Sequence, residues 1–116
     1  MISFLDGTLA TKGQDSVVVN VGGIGFLVRV SSRTLDSLPH SGERVHIPTH
    51  FMIRDEAPVL FGFSDEQDLD MFLDLVGVSG VGPRLALAIL GFMEPQELAS
   101  ALMRGDSTLI ARVPGV

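Results

Sequence analysis

Residues 76–90 read V-G-V-S-G-V-G-P-R-L-A-L-A-I-L, a glycine-rich turn between two apolar-periodic segments, and no other stretch restricts the fold as much. Before it, Leu69, Phe72, Leu73 and Val76 recur at i, i+3, i+4 and i+7, which predicts a helix burying one face. After it, Pro83 suits the first position of a new helix, where its missing N–H would have had no partner. The glycines between permit a tight turn with positive φ. A helix opening from such a loop points free backbone N–H groups outward past no bulky side chain, and that arrangement seats a phosphate. Arg84 adds a cation within reach of the same oxygens. Two readings of Ser79, Gly80, Val81, Gly82 and Arg84 stand together: a phosphate seat, or an αα-hairpin whose glycines only close a turn.

Two other glycine motifs are disfavoured or absent. The dinucleotide fingerprint G-x-G-x-x-G follows a strand in a βαβ unit, whereas Gly77, Gly80 and Gly82 are spaced differently and follow a helix. No G-K-[ST] occurs, so there is no P-loop and no nucleotide hydrolysis to assign.

At 116 residues, 46% of them hydrophobic and 19% charged, the chain can bury one ordinary core or two small ones sharing an interface. The longest apolar run, near residues 85–93, is far short of a membrane span, and the N-terminus has no basic-then-apolar signal layout. A soluble, cytoplasmic protein without membrane contact is expected, and the absence of cysteine agrees with that compartment while excluding thiolate metal sites. The formal net charge of −6 excludes a generally basic surface, so any nucleic-acid contact must be local. Most of the imbalance lies in the second half, where eight acids, beginning with Asp65, face only Arg84, Arg104 and Arg112.

The first half reads as β structure. Residues 2–10 and 16–21 are short β-rich runs, and Gly22-Gly23 links the second to 24–30 as a hairpin. Gly7, Gly23 and Gly25 suggest bends or bulges of the kind that close a small barrel. Residues 31–38, polar with Leu35 and Leu38 three apart, predict a single short helix or turn as an insert before Pro39. Residues 44–53 then alternate, with Val45, Ile47, Phe51 and Ile53 on one face and His46, Pro48, His50 and Met52 on the other. Residues 58–63 supply a fifth strand, and this order matches an OB-type barrel over 1–63. Arg54-Asp55-Glu56-Ala57 falls at the tip between strands four and five, where paired acids are either solvated turn residues or a device that repels phosphate.

The second half, 64–116, reads as all-α. Ser64 with Gln67 three residues later predicts a capping box, and the acids from Asp65 to Asp74 fill the first turn and the solvated face. The helix after Pro83 is apolar nearly all round and should be central. A third helix is expected from Glu94-Pro95 with Leu98, Ala101 and Leu102, and a fourth, capped by Asp106, with Leu109, Ile110 and Val113. Val113-Pro114-Gly115-Val116 then begins another hairpin.

Catalytic constellations fail on geometry. His46 and His50 share a strand face but stand roughly 13 Å apart at about 3.3 Å per residue, too far to hold one ion. His40 has no companion, and no Ser neighbours a plausible His and acid. Asp55 and Glu56 are the best candidates for a Mg²⁺-dependent nuclease, but adjacent side chains on a turn rarely converge on one ion. No metal, cofactor or catalytic residue is expected.

Taken together, Met1-Ile2 with Leu5 and Gly7, Val21-Gly22-Gly23-Ile24-Gly25-Phe26, Arg54-Asp55-Glu56 with Leu60-Phe61-Gly62-Phe63, and above all residues 77–90 resemble the RuvA family. These are the Holliday-junction-binding subunits of the bacterial branch-migration complex. The likeness extends over the whole chain in order. It implies an OB barrel followed by two helix-hairpin-helix motifs, assembled as a homotetramer on an open four-way junction. It also implies a non-catalytic role in recombination and DNA repair, in the SOS response to DNA damage, beside a RuvB-type ATPase motor and a RuvC-type resolvase. Four subunits on one cross explain by avidity how weak hairpins suffice.

On that resemblance Ser79, Gly80, Val81, Gly82 and Arg84 bind the DNA backbone without reading bases, and Gly115 belongs to the second hairpin. Asp55 and Glu56 form an acidic pin at the crossover, flanked by Arg54, that keeps phosphates off the centre over a Debye length of about 8 Å. The family places Glu before Asp, so the reversed order here shifts each carboxylate by one methylene. Phe4 and Asp6 stand where some members carry basic residues, so a DNA contact there should be absent or weaker. The family continues past Pro114-Gly115-Val116 into a linker and a motor-gripping domain, so the chain is expected to be a truncated piece unable to recruit the motor. Two other functions compete: an oligomerisation scaffold without DNA binding, and a single-strand-binding OB protein. The latter is disfavoured by seven Phe, no Trp and no Tyr.

Overall fold

The computed structural model describes residues 1–93, 96–98 and 100. Its first part is a closed barrel of five strands, β1 (Phe4–Lys12), β2 (Ser16–Val21), β3 (Ile24–Arg29), β4 (Arg44–Arg54) and β5 (Ala57–Gly62), in the order β1-β2-β3-β5-β4. All neighbours are antiparallel except β3 and β5, which run parallel where Val28 meets Leu60. The OB-type barrel expected from the alternating first half is therefore present. Its interior follows from period-two burial, with Leu5, Leu9, Val17, Val19, Val28, Val45, Ile47 and Leu60 pointing inward.

Two local expectations are corrected. The bulge falls in β1 between Leu9 and Thr11 rather than at a glycine, and Gly23 lies with Gly22 in the β2–β3 turn, both at positive φ. Ile53 does not join the inward row of β4, being 69% exposed, because the last residues of β4 and the first of β5 project beyond the barrel as a ribbon.

Helix α1 (Ser32–Ser37) fills the gap between β3 and β4, capped by Ser31, whose side chain accepts from Thr34 N–H. Helix α2 (Glu66–Val76) is capped by Asp65, not Ser64: the Asp65 carboxylate accepts from Asp68 N–H at 2.8 Å. Ser64 is diverted into hydrogen bonds with the hydroxyls of Thr34 and Ser37 on α1. The buried face of α2 is also rotated from the expected one. Phe72, Leu75 and Asp68 are buried, Leu69 and Val76 half-buried, and Leu73 is 39% exposed.

Helix α3 (Pro83–Phe92) buries Pro83, Ala86, Ile89 and Leu90 but leaves Arg84, Ala88 and Phe92 exposed, so it is central on one side only. Phe61 and Phe63 from the end of the barrel stack on Phe72 at 5.2 and 4.9 Å, so barrel and helices share one apolar seam. Leu98 lies in the same cluster. The expected start of the third helix at Glu94-Pro95, the fourth helix and the second hairpin with Gly115 lie outside the described residues. No helix among the described residues is long and apolar enough to cross a membrane.

Candidate nucleic-acid interface

The loop at 77–82 is built by its own backbone. Val78 N–H donates to Leu75 O and Val81 N–H to Val78 O, so the chain turns at Ser79 and Gly80. Gly80 has φ 86, which a side chain would strain. Val81 tucks against the helical core while Ser79 and Gly80 stay exposed.

Gly82 is the N-cap of α3 and at φ −88 it is extended, so the positive φ that the glycines permit is used at Gly80. Gly82 contributes no capping side chain and Pro83 has no N–H. The first helical bond runs from Ala86 N–H to Gly82 O. The N–H groups of Arg84 and Leu85 therefore have no acceptor among the described residues and face outward at the positive end of the helix.

The second part of the candidate interface is the β4–β5 tip. Arg54 pairs with Ala57, leaving Asp55 and Glu56 as a two-residue loop with φ 50 and 65. Positive φ at both central places is the primed turn that matches strand twist and favours Asn-Gly or Gly-Gly. Holding a glutamate there costs on the order of 1 kcal/mol or more. Both carboxylates are exposed, and no described cation lies within ion-pair distance of them.

Arg54 connects the two parts. Its guanidinium lies over Gly82, where a Cβ would stand 3.3 Å from one terminal nitrogen. Arg54, Arg84 and Arg29 line a common cavity of about 720 Å³ between barrel and α3, together with Asp55 and Asp15. Arg29 is opposed by Asp15 at 3.5 Å, which leaves Arg54 and Arg84 as the local cations of an otherwise acidic chain.

The remaining candidates separate. His46 Nδ1 meets Asp6 at 2.6 Å and its ring lies 5.0 Å from Phe4, on the exposed face of β1 and β4. His50 rests on Phe72 at 6.1 Å, and its pKa is lowered by burial first and by the positive N-terminal amine second. His40 donates its backbone N–H to Glu43. Among the described residues no three His, Cys, Asp or Glu side chains gather as a metal site.

One supporting pair escaped the sequence reading. Asp68, 2% exposed, accepts from Arg33 at 2.8 Å, and Arg33 Nε donates to Leu90 O at 3.0 Å, tying α1 to both α2 and α3. The signal available was a lone acid on the otherwise apolar side of α2, but its partner lies 35 residues away.

Comparison with known proteins now decides the family. The family described as RuvA N terminal domain matches residues 1–62, the barrel with its β4–β5 hairpin. The chain belongs to the RuvA family. A second family, described as a SAM-like helix-hairpin-helix tandem, matches residues 72–116. The chain is 43% identical over 116 residues to the Holliday junction branch migration complex subunit RuvA of Desulforudis audaxviator, covering all of this chain and 57% of that relative. It is 40% identical to the RuvA subunits of Pseudomonas syringae and Dehalococcoides mccartyi, again along its whole length and over 57% and 60% of theirs. The chain thus spans little more than half the length of these curated RuvA relatives.

Proposed function

We infer that this chain binds four-way DNA junctions by structure rather than sequence and holds them open, as a non-catalytic subunit in recombination and repair. The observation that carries this reading is the juxtaposition on one chain of a loop offering backbone N–H groups and a tip offering two carboxylates, in contact through Arg54. The free backbone N–H groups of Arg84 and Leu85 and the Arg84 side chain can donate to any phosphate, which supports sequence-independent binding. Carboxylates at Asp55 and Glu56 repel phosphate within about 8 Å, which favours a shape whose centre is open over one with a continuous backbone. The barrel of 1–63 then acts as the mount of the pin, and the helical unit of 64–116 as the grip on the arms.

Four copies around one cross, a RuvB-type motor, a RuvC-type resolvase and a cytoplasmic setting belong to the same reading. They rest on membership of the family and on the role for which its relatives are named. The single-strand alternative is weakened by the rings: of the seven phenylalanines only Phe4 and Phe92 are about half exposed, at 49% and 48%, on different elements.

The test of the seat is Gly82→Val, with DNA binding followed by gel shift. Binding to junction and duplex alike should fall roughly tenfold or more, as expected when close backbone approach to several phosphates is lost. Unchanged binding to both would remove residues 79–84 from the interface.

A further inference from the structure

The ribbon face turned to the helices carries His50, Met52 and Arg54 on β4, opposite Phe61, Val59 and Ala57 on β5. Alternate residues of a strand share a face, and the contacts follow that row outward. His50 and Phe61 meet Phe72, Met52 and Val59 pack on the helical core, and Arg54 reaches the loop before α3. There the apolar seam ends and the guanidinium takes over. A Cβ at Gly82 would sit 3.3 Å from Nη1 and 4.0 Å from Nη2, so the guanidinium lies close against the loop and would have to give by a few tenths of an ångström to any side chain there. Gly82 does not need to be glycine for its own backbone, since φ −88 and ψ 173 are open to any residue. Among the described residues no carboxylate pairs with Arg54, so no ion pair draws the side chain elsewhere.

We propose that Arg54 is a positioning residue, a latch from the acid tip to Gly82 that fixes the spacing between the group repelling phosphate and the group seating it. The proposal deepens the junction reading above and rests on it for its effect on DNA. Junction selectivity requires the tip to sit at the crossover while the loop sits on an arm. A ribbon that projects beyond the barrel would let that spacing vary unless something beyond Met52 and Val59 held it. Lysine cannot replace the latch, because its ammonium is a solvated point charge on a flexible stem while the guanidinium is a flat plate.

Because the chain has no cysteine, two nitroxide labels can be placed uniquely, at Glu56→Cys and Ser79→Cys, and diluted with unlabelled chain so that only intramolecular distances are read. In DNA-free protein, Arg54→Ala and Arg54→Lys should each broaden the distance distribution, and Gly82→Ala should shift it. On unlabelled protein, Arg54→Ala and Gly82→Ala should each lower the preference for junction over duplex roughly fivefold. Combined they should cost little more than either alone, because both break one contact. The salt dependence of binding should be unchanged by Arg54→Ala, since no phosphate contact is lost.

A distance distribution indifferent to Arg54 overturns the latch, whatever the DNA data show. So does a variant set in which Arg54→Lys equals wild type while Arg54→Ala flattens the salt dependence, which marks a direct phosphate contact. If wild type shows no junction preference, the functional reading fails, while the distances still decide the latch. Circular dichroism of each variant separates these outcomes from unfolding.

Discussion

Glu56 sits at φ 65 in a turn for which the same chain, one hairpin earlier, uses Gly22 and Gly23 at φ 61 and 93. Two turns of one shape in one barrel make the contrast informative, because glycine was the unstrained choice at both. Retaining acids at the tip implies that their charge is worth the backbone strain. Glu56→Gly should therefore stabilise the fold by about 0.5–1 kcal/mol and raise the melting temperature, while lowering junction preference. A lowered melting temperature would mean the tip is not strained. The paired acids marked this tip in the sequence, but nothing in their identity disclosed the positive φ, which follows from the Arg54–Ala57 pairing. His50 offers a second residue-scale test. Its pKa is depressed below 6.5, so the folded state resists the proton that the unfolded chain accepts. Its contribution to stability is present above about pH 6.5 and is lost as pH falls through the lower folded value. His50→Gln should flatten stability against pH in that window, measured by urea unfolding, and a retained slope would assign it to other groups.

At the scale of elements, α2 is held to the barrel in two ways, by Phe72 against Phe61 and Phe63 and by Asp68 on Arg33. Phe72→Ala should cost about 3–5 kcal/mol in chemical denaturation, since a fully buried ring between two halves leaves a void that neither half can close alone. Asp68→Ala should cost about 3 kcal/mol, towards the low end for a buried pair because Arg33 keeps 30% of its side-chain surface in water. The double change Arg33→Met with Asp68→Leu should recover much of that loss, and no recovery would mean the pair does more than hold helices. Element type and order were legible along most of the chain, because strand alternation and helix periodicity are local. What escaped was set by distant partners. The α2 cap moved to Asp65 because Thr34 and Ser37 engage Ser64, and the helix face rotated because Arg33 accommodates Asp68.

For the whole molecule, the charge distribution frames the function. A chain of net charge −6 would have to concentrate its attraction for DNA, and Arg84 beside the outward N–H groups at the start of α3, on the cavity between barrel and helix, is where it could do so. The glycine loop and the acid pair could each be singled out in the sequence, but their adjacency could not, because it depends on the ribbon's projection and on Gly82 lacking a side chain. The central claim is that one edge of the chain both seats and repels phosphate. The most direct measurement is a gel-shift titration of wild type and of Asp55→Asn/Glu56→Gln against a four-way junction, the matching duplex and a single strand, at two salt concentrations. Wild type should prefer the junction and weaken with salt, while the neutralised tip should bind all three at least as tightly and lose that preference. Equal wild-type binding to junction and duplex, or a preference indifferent to the two carboxylates, would contradict the account.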